Sequence, residues 1–258
     1  MPAHEATGSP RNGGAIVDSS TLVVAIDGPS GSGKSTVARG VARALHLRYL
    51  DTGAIYRGLA WAVQAAGVAP NDVEGVLKVA DNFDVRVSTN PDDPTVVANG
   101  TDVTAAIRSD AVTQSVSAVS AIPEVRKRMV ALQRALIGGG GIVVEGRDIG
   151  TVVCPDASVK VFLTASPDAR AARRSAETSG TSGSNAPVAR VRADLARRDQ
   201  LDSGRAVSPL AQAADALPVD STAMDVDAVV AYVLRVVADR TRIFASTSAP
   251  DQIGREQL

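Results

Sequence analysis

The chain contains few of the residues on which several classes of function depend. Aromatic residues make up only 3% of its 258 residues, which leaves few platforms for stacking the bases of single-stranded nucleic acid. Cys154 is the single cysteine, so an intramolecular disulfide and a cysteine-rich zinc site are excluded, as is usual for a cytoplasmic protein. The formal net charge of -1 gives no global field that would attract nucleic acid or an anionic membrane. We therefore expect a cytoplasmic protein without a nucleic-acid polymer or a membrane as partner.

Long apolar runs are also missing. No stretch approaches the length that spans a membrane, and we expect no signal peptide in the polar first 20 residues. These residues are rich in glycine and serine, which predicts a disordered N-terminal tail over residues 1–20. Hydrophobic residues nevertheless make up 45% of the chain, enough to bury a full core. We expect a single α/β domain over residues 21–258, acting as a monomer.

A glycine-rich motif lies between an apolar run and an amphipathic segment. Residues 28–35 fit the spacing G-x-x-x-x-G-K-[ST]. Leu22–Ile26 predicts a buried strand before it, and the recurrence of Val37, Val41 and Leu45 every four residues predicts a helix after it. Glycines can bring backbone N–H groups close to phosphate oxygens, and the helix N-terminus favours the same negative charge.

This spacing predicts a phosphate-binding loop. Lys34 would reach the terminal phosphates of a nucleotide and Ser35 would bind Mg²⁺. GTPases, ATPases, nucleotide kinases and small-metabolite kinases all share such a loop, so it does not identify the reaction by itself. The residues that we expect to bind the nucleotide are Gly28, Pro29, Ser30, Gly31, Ser32, Gly33, Lys34, Ser35 and Thr36.

Further apolar runs alternate with helical patterns and predict a parallel core sheet flanked by helices. Helical periodicity over residues 111–136 is interrupted near Pro123 and stopped by the glycines of residues 138–141. The predicted strands are Arg48–Leu50, Ile142–Val144, Val159–Leu163 and Leu217–Val219, and the other predicted helices are residues 59–66 and 226–237.

A different pattern interrupts this alternation. Short β-like runs at residues 85–88, 95–98 and 102–104 are separated by a proline-rich turn and by Asn99-Gly100, a strong hairpin signal. We predict a small antiparallel sheet inserted into the α/β core.

Arginine dominates the cationic residues: of 27, only four are lysine. A compositional bias explains most of that total, so the placement of the arginines carries the functional argument. Arg170, Arg173 and Arg174 follow a predicted strand on a helix, where positions 170 and 174 share a face. The apolar-poor residues 175–187 predict a mobile loop or lid tip. A second group contains Arg197 and Arg198 together with Arg190 and Arg192, and for the last two a solvated helix face is an equally good explanation.

The charged residues narrow the chemistry. No Asn-Lys pair occurs, which weakens the interpretation as a GTPase that reads guanine through N-K-x-D. A kinase acting on an alcohol needs a base or positioning group, whereas an acceptor phosphate is already ionised and needs cationic neutralisation instead. The two histidines, His4 in the tail and His46 beside the first helix, give no candidate for a base. The sequence therefore favours transfer between two phosphates, with arginines and a lid that excludes water.

Several motifs together resemble those of the bacterial cytidylate kinases. They are residues 28–36, Asp51-Thr52-Gly53-Ala54-Ile55-Tyr56-Arg57, the β insert, E-G-R-D-I-G-T-V-V at residues 145–153 and R-A-V-S-P-L at residues 205–210. The likeness runs from Leu22 to Val237, in order. It implies a P-loop nucleoside monophosphate kinase fold that transfers the γ-phosphoryl group of ATP to CMP or dCMP with Mg²⁺. It also implies a CMP-binding region with the β insert at about residues 52–125 and a lid at about residues 170–200.

The resemblance further implies roles for individual residues. Arg57, Arg147 and Arg205 match positions that hold the CMP phosphate, which agrees with the paired N–H donors of arginine. Arg198 and Asp202 match positions that contact the sugar. Arg170, Arg173 and Arg174 match the lid side, next to the phosphates of ATP. The residues expected to act in catalysis are Lys34, Arg147, Arg170 and Arg174.

The base-contacting positions are matched by Ser117, Arg126 and Asp148. A carboxylate at position 148 could accept from the exocyclic amine of cytosine, where uracil presents a carbonyl oxygen. Thr52, which is also expected to bind the substrate, stands where some relatives have serine, and either hydroxyl can donate. Leu201 and Ser203 are neutral where the family pattern often carries charge, which leaves the lid contacts near Asp202 open.

Two alternatives remain open at this stage. The first is a P-loop kinase for another monophosphate, such as UMP or AMP. The second belongs to a different class: a nucleotide-gated binding protein that hydrolyses ATP slowly and acts through a partner surface.

Overall fold

The computed structural model describes residues 19–182 and 187–241. Within these ranges the strands are β1 (Val23–Asp27), β2 (Arg48–Asp51), β3 (Val85–Val87), β4 (Val96–Ala98), β5 (Thr101–Asp102), β6 (Ile142–Gly146), β7 (Val159–Thr164) and β8 (Leu217–Asp220). The helices are α1 (Lys34–Ala44), α2 (Thr52–Ala65), α3 (Val73–Asp81), α4 (Asp110–Ala121), α5 (Pro123–Ile137), α6 (Pro167–Ser182), α7 (Val188–Ser203) and α8 (Val226–Thr241). A 3₁₀ turn covers Ala106–Arg108 and a π-helical turn covers Ile149–Val153.

Five strands form the central sheet in the order β2-β6-β1-β7-β8, with every neighbouring pair parallel. β1 lies in the middle, and all of its residues are buried, as expected for a strand covered on both faces. Asp27 at the end of β1 is paired in register with Gly146 of β6, and Asp51 of β2 with Glu145 of β6. The carboxyl ends of these three strands therefore meet at one edge of the sheet, where ligands of open α/β sheets bind.

The two faces of the sheet bury separate hydrophobic clusters. Val24, Ile26 and Val143 point to the face covered by α1 and α8, where Val37 and Val41 of α1 pack. Alternate residues such as Ala25 and Val144 point to the other face, which is covered by α2, α4, α5 and the β insert. The parallel core sheet flanked by helices, predicted from the alternating apolar runs, is confirmed.

The insert is a three-stranded antiparallel sheet in the order β3-β4-β5, also as predicted. Asn99 and Gly100 form the turn between β4 and β5, with φ of 49° and 80°. Positive φ at both central residues is the conformation for which Asn-Gly is preferred in tight hairpins. Val85, Val96 and Ala98 attach the insert to the cluster on the α2 side.

Some helix boundaries differ from the predictions. α2 begins at Thr52, seven residues before the predicted start, because the Asp51 carboxylate caps it by accepting from the Ala54 N–H at 3.0 Å. α3 was not predicted at all, although Asp72 caps it in the same way. The predicted loop over residues 175–187 is wrong up to residue 182, because α6 continues through Ser182. The rest of that segment up to residue 186, and the predicted tail over residues 1–18, lie outside the described residues.

No helix in the described part of the chain has both the length and the apolarity that crossing a membrane would require.

Gly28→Ala should destabilise the fold by several kcal/mol more than Gly100→Ala. Both glycines have positive φ, which costs an L-residue roughly 1–2 kcal/mol. A methyl group at Gly28 would also lie 2.0 Å from the carbonyl oxygen of Leu163, whereas one at Gly100 would meet nothing within 4 Å. Urea unfolding of both variants measures the difference. Equal losses of stability would show that contact with Leu163 does not constrain the loop.

Candidate active site

A cleft of about 650 Å³ lies at the edge where β1, β2 and β6 end. The loop between β1 and α1 forms one wall, and the start of α2, helix α4 and residues from α6 and α7 contribute to the others. Many of the side chains that line it are charged, and more of these are cationic than anionic. They are Lys34, Arg39, Asp51, Arg57, Arg108, Arg126, Glu145, Arg147, Asp148, Arg173, Arg174, Glu177, Arg198, Asp202, Arg205 and Asp225. Such a cleft suits a highly charged, anionic ligand.

The glycine-rich loop has the backbone geometry of a phosphate-binding loop. Gly28, Gly31 and Gly33 all have positive φ, and Gly33 directly precedes the first turn of α1. The side chain of Lys34 folds back over this loop and is only 6% exposed. Its Nζ donates to the Pro29 carbonyl oxygen at 2.7 Å and to Ser32 Oγ at 3.4 Å. Residues 30–36 line the cleft, while Gly28 and Pro29 form the base of the loop.

Glu145 connects the loop to the sheet. It is the last residue but one of β6, on the face that α1 covers, so its carboxylate lies against the first turn of α1. Its Oε2 accepts from Ser35 Oγ at 3.0 Å, and its Oε1 accepts from the hydroxyl of Tyr49. Its backbone carbonyl accepts from Thr52 Oγ1 at 2.7 Å, which explains why Thr52 is buried at the start of α2.

Three titratable groups here have strongly shifted pKa values. Burial raises the pKa of Glu145 to about 7, and the nearby Asp51 carboxylate adds to the shift. Burial also raises the pKa of Asp27 to about 6, although the N–H groups of Ile149 and Gly150 donate to it at 2.9 and 2.8 Å. Burial, followed by repulsion from Arg147, lowers the pKa of Lys34 to about 7. A set of perturbed groups in a cleft is typical of a functional site.

The three predicted base-contacting residues all line the cleft, and two of them are in direct contact. Arg126 and Asp148 form an ion pair at 2.6 Å. Both are buried, since the exposed fraction is 2% for Arg126 and 3% for Asp148. Arg126 also donates to the Ser120 carbonyl oxygen at 3.3 Å, and its guanidinium lies 5.2 Å from the centre of the Tyr56 ring. Ser117 lines the same cleft. Each side chain of the pair is held by the other, and both present polar groups to a ligand in the cleft.

The predicted phosphate- and sugar-contacting residues gather around Asp202. This carboxylate accepts from Arg147 Nε at 3.0 Å and from the Arg205 guanidinium. Arg205 also donates to Ser120 Oγ at 3.1 Å, which ties it to α4. Two arginines, Arg147 and Arg205, therefore share a single buried carboxylate.

Arg57 and Arg198 complete this arginine group. Arg57 donates to the Ile107 carbonyl oxygen at 3.0 Å and to Thr113 Oγ1 at 2.9 Å, so neither partner neutralises its charge. Burial, reinforced by neighbouring arginines, lowers the pKa of Arg57 to about 9 and that of Arg198 to about 10. Both groups stay protonated at neutral pH. Cations that repel one another in this way would be stabilised by a bound anion.

The three arginines predicted to meet ATP lie in different places. Arg174 lines the cleft and donates to Glu177 at 2.9 Å, one turn further along α6. Arg173 also lines it, and donates to the carbonyl oxygen and Oγ of Ser221 at 2.6 and 2.9 Å. Arg170 lies behind the loop instead, where it donates to the Ser30 carbonyl oxygen at 3.1 Å and pairs with Asp199. Its catalytic role stays a prediction.

Several residues of the site were not predicted. Asp27 and Asp51 each end a strand and Glu145 is the last residue but one of β6, so the position rule for open α/β sheets could have found them. Tyr49 and Asp199 have no local signal, because their contacts depend on strand register and on the packing of α7. Arg190, Arg192 and Arg197 do not line the cleft; Arg192 forms a surface pair with Asp168 at 2.9 Å, as a solvated helix face would.

Across residues 19–182 and 187–241, no three His, Cys, Asp or Glu side chains gather in a way that could hold a metal ion by themselves. Ser35 Oγ and the Glu145 carboxylate, which are 3.0 Å apart, offer oxygen ligands at the start of α1. Mg²⁺ usually takes one or two protein oxygens together with water and substrate phosphates, so this small donor set suits it.

The family model described as cytidylate kinase matches residues 24–239 of this chain. A cytidylate kinase of Mycobacterium leprae is 51% identical over 221 residues, covering 85% of this chain and 97% of that protein. A cytidylate kinase of Mycolicibacterium paratuberculosis is 50% identical over 226 residues, covering 87% and 99%. A cytidylate kinase of Streptomyces avermitilis is 49% identical over 221 residues, covering 85% and 94%.

Among solved structures, a gluconokinase of Sinorhizobium meliloti is similar over 86% of this chain and 94% of its own. The TM-score is 0.43 and the sequence identity is 15%, a likeness that carries no weight for either fold or function.

Glu145→Gln should flatten the pH dependence of stability between about pH 5 and pH 7. The pKa of Glu145 rises from its ordinary value of 4.5 to about 7 in the folded chain. In this window the folded state keeps a proton that the unfolded state has released, so the free energy of unfolding falls as the pH rises. The variant should lack the part of this decrease that Glu145 contributes, and urea unfolding at several pH values measures it.

Asp102→Asn is the matched control. Asp102 is exposed, and hydrogen bonds from Thr104 lower its pKa, so its carboxylate stays ionised in both states throughout the window. This control should keep the slope of the parent chain. If the free energy of unfolding depended on pH equally in Glu145→Gln and in the parent chain, the raised pKa of Glu145 would be contradicted.

Proposed function

Because the chain belongs to the cytidylate kinase family, we propose that it catalyses the ATP-dependent phosphorylation of CMP and dCMP to CDP and dCDP. The glycine-rich loop binds the donor triphosphate, and the arginine group around Asp202 binds the acceptor monophosphate. The γ-phosphoryl group passes between the two in line.

One observation supports the assignment of a donor site and an acceptor site. The cleft has one cationic site at the loop, with Lys34, and a second one built from Arg57, Arg147 and Arg205, and both line the same cavity. A protein that only hydrolyses ATP has no use for the second site. Of the described residues that line the cleft, none is a histidine, and an ionised acceptor phosphate needs no general base.

Electrostatic neutralisation is the main task of such a site. Two anions must approach within bonding distance, and charge spreads over the oxygens of the transferring group in the transition state. Arg147 on the acceptor side supplies positive charge there. Lys34 supplies it on the donor side, where a bound phosphate would favour its protonated form against the burial that lowers its pKa. Since Asp202 already holds Arg147 and Arg205 in place, little reorganisation is needed when the acceptor binds.

Base selection is assigned to the pair of Arg126 and Asp148. Arg126 fixes one oxygen of the Asp148 carboxylate at 2.6 Å. The carboxylate can still accept from the exocyclic amine at C4 of cytosine, where uracil would present a carbonyl oxygen that a carboxylate repels. Ser117 adds a hydroxyl group to the lining of the same cleft.

Mg²⁺ fits the donor side. Ser35 donates its only hydroxyl hydrogen to Glu145, so the lone pairs of Oγ are available to a cation. Ser35 would hold the ion directly, with Glu145 behind it and phosphate oxygens of ATP completing the coordination. When bound, Mg²⁺ would neutralise charge on the β- and γ-phosphate oxygens.

Neither alternative is favoured. A kinase for UMP or AMP would not be expected to belong to this family, and a slow nucleotide-gated binding protein would not need an acceptor site. The monomeric state, the cytoplasmic location and the limits of the CMP-binding region and lid stay predictions.

A coupled assay of ADP release should distinguish these functions. With ATP and Mg²⁺ held constant, turnover should be fast with CMP and dCMP and slow with UMP, with AMP and with no acceptor, since only cytosine offers an amine to Asp148 in the required place. Equal rates with and without an acceptor would favour the ATP-hydrolysing protein. Faster turnover with UMP or AMP would identify a different monophosphate kinase.

Asp148→Asn should reduce the preference for CMP over UMP by about 1–3 kcal/mol, measured as the ratio of kcat/KM. Asparagine keeps the shape but presents an amide that can donate to the carbonyl oxygen of uracil. Alanine is the poorer choice, because it would leave the buried Arg126 unpaired and destabilise the fold.

Asp156→Asn is the control for this test, since it makes the same chemical change at an exposed position outside the cleft. It should leave the ratio unaltered. An unchanged ratio in Asp148→Asn, with the fold intact, would remove Asp148 from base selection.

A further inference from the structure

Tyr49 lies where the geometry of two strands brings its hydroxyl to the donor site. It is paired in register with Val143 of β6, two residues before Glu145. Residues 143 and 145 share a face, because side chains alternate along a strand. The ring of Tyr49 packs with Val143 on the face that α1 covers. A tyrosine at this position is long enough to reach along the neighbouring strand to the carboxylate at its end.

The contact of Tyr49 with Glu145 is buried and firmly anchored. Tyr49 is 2% exposed, and its backbone N–H donates to the Thr89 carbonyl oxygen at 2.8 Å. Its hydroxyl donates to Glu145 Oε1. A smaller apolar residue could satisfy this face of the sheet but would leave Oε1 without that donor, which is costly in a buried site.

The two oxygens of Glu145 therefore have different, fixed partners. Oε1 accepts from Tyr49, and Oε2 accepts from Ser35 Oγ at 3.0 Å. With one oxygen held, the carboxylate cannot turn, and the hydroxyl hydrogen of Ser35 keeps one direction. The lone pairs of Ser35 Oγ then keep one direction as well, away from Glu145.

We propose that Tyr49 is a positioning residue for the divalent cation of the phosphoryl donor, acting through Glu145 on Ser35. This inference rests on the proposed role of Ser35 as a Mg²⁺ ligand. Groups that orient metal ligands from behind commonly change metal affinity about 10–100-fold when they are removed. Tyr49 itself touches neither the cation nor the nucleotide.

Tyr49→Phe tests this, since it keeps the ring and removes only the donor. Binding of Mn²⁺ to the enzyme–ADP complex, followed by electron paramagnetic resonance, should weaken about tenfold. Binding of ADP in the presence of EDTA, and binding of CMP, should stay as in the parent chain. Turnover should need more Mg²⁺ to reach half its maximum and should recover at high Mg²⁺.

Tyr232→Phe is the matched control, because Tyr232 lies in α8, away from the cleft, beside Arg235. It should change none of these quantities. Unchanged Mn²⁺ binding in Tyr49→Phe would overturn the inference. A parallel loss of affinity for metal-free ADP and for CMP would also overturn it, since that pattern indicates a general distortion of the cleft.

Ser35→Ala separates this inference from the proposed function. If Tyr49 acts through Ser35, Tyr49→Phe should weaken Mn²⁺ binding little further in a Ser35→Ala background. A full additional loss would mean that Tyr49 does not act through Ser35. If Ser35→Ala alone leaves Mn²⁺ binding unchanged, the proposed metal role of Ser35 fails. If it weakens binding and Tyr49→Phe does not, only the role of Tyr49 fails.

Discussion

Buried charge at the ends of three parallel strands is the constraint on which the rest of the site depends. Glu145 and Asp27 offset part of the cost of burying the Lys34 ammonium, since each acts to raise a pKa that burial lowers. Those carboxylates need partners in turn. Tyr49 and Ser35 donate to Glu145, and the π-helical turn after β6 directs two N–H groups at Asp27. The position of this turn thus has a physical reason, since its first N–H groups supply the donors that the buried Asp27 needs.

On the acceptor side the buried charges are mostly positive, and buried carboxylates stabilise them. Several guanidinium groups must stay close together while the cleft is empty of anions, and one buried carboxylate, Asp202, holds two of them. At the base end, Asp148 does the same for Arg126. A buried ion pair adds little net stability, but breaking one is expensive because a charge is left unpaired. These pairs therefore fix geometry more than they stabilise the fold.

The sequence predicted well what depends on neighbours along the chain. The loop with its flanking strand and helix, the Asn99-Gly100 hairpin and the break at Pro123 all carry local signals, and all are confirmed. The early start of α2 was missed because Asp51 was assigned to a motif, although it is also a helix cap. The extension of α6 was missed because residues 175–182 have few apolar side chains. The contacts of Tyr49 and Asp199 could not be predicted, since they depend on strand register and on the packing of distant helices.

Two donors of the loop already have acceptors in this conformation, which affects the energetics of nucleotide binding. Lys34 Nζ donates to the Pro29 carbonyl oxygen, and the N–H of Ser30 is 3.4 Å from Asp199 of α7. A phosphate oxygen that takes either donor replaces an existing hydrogen bond, so only the difference between the two contributes to affinity. Asp199 also pairs with Arg170 of α6. An anion at Ser30 would therefore compete with Asp199 and change the balance of charge on Arg170, which couples occupancy of the loop to the contacts between α6 and α7.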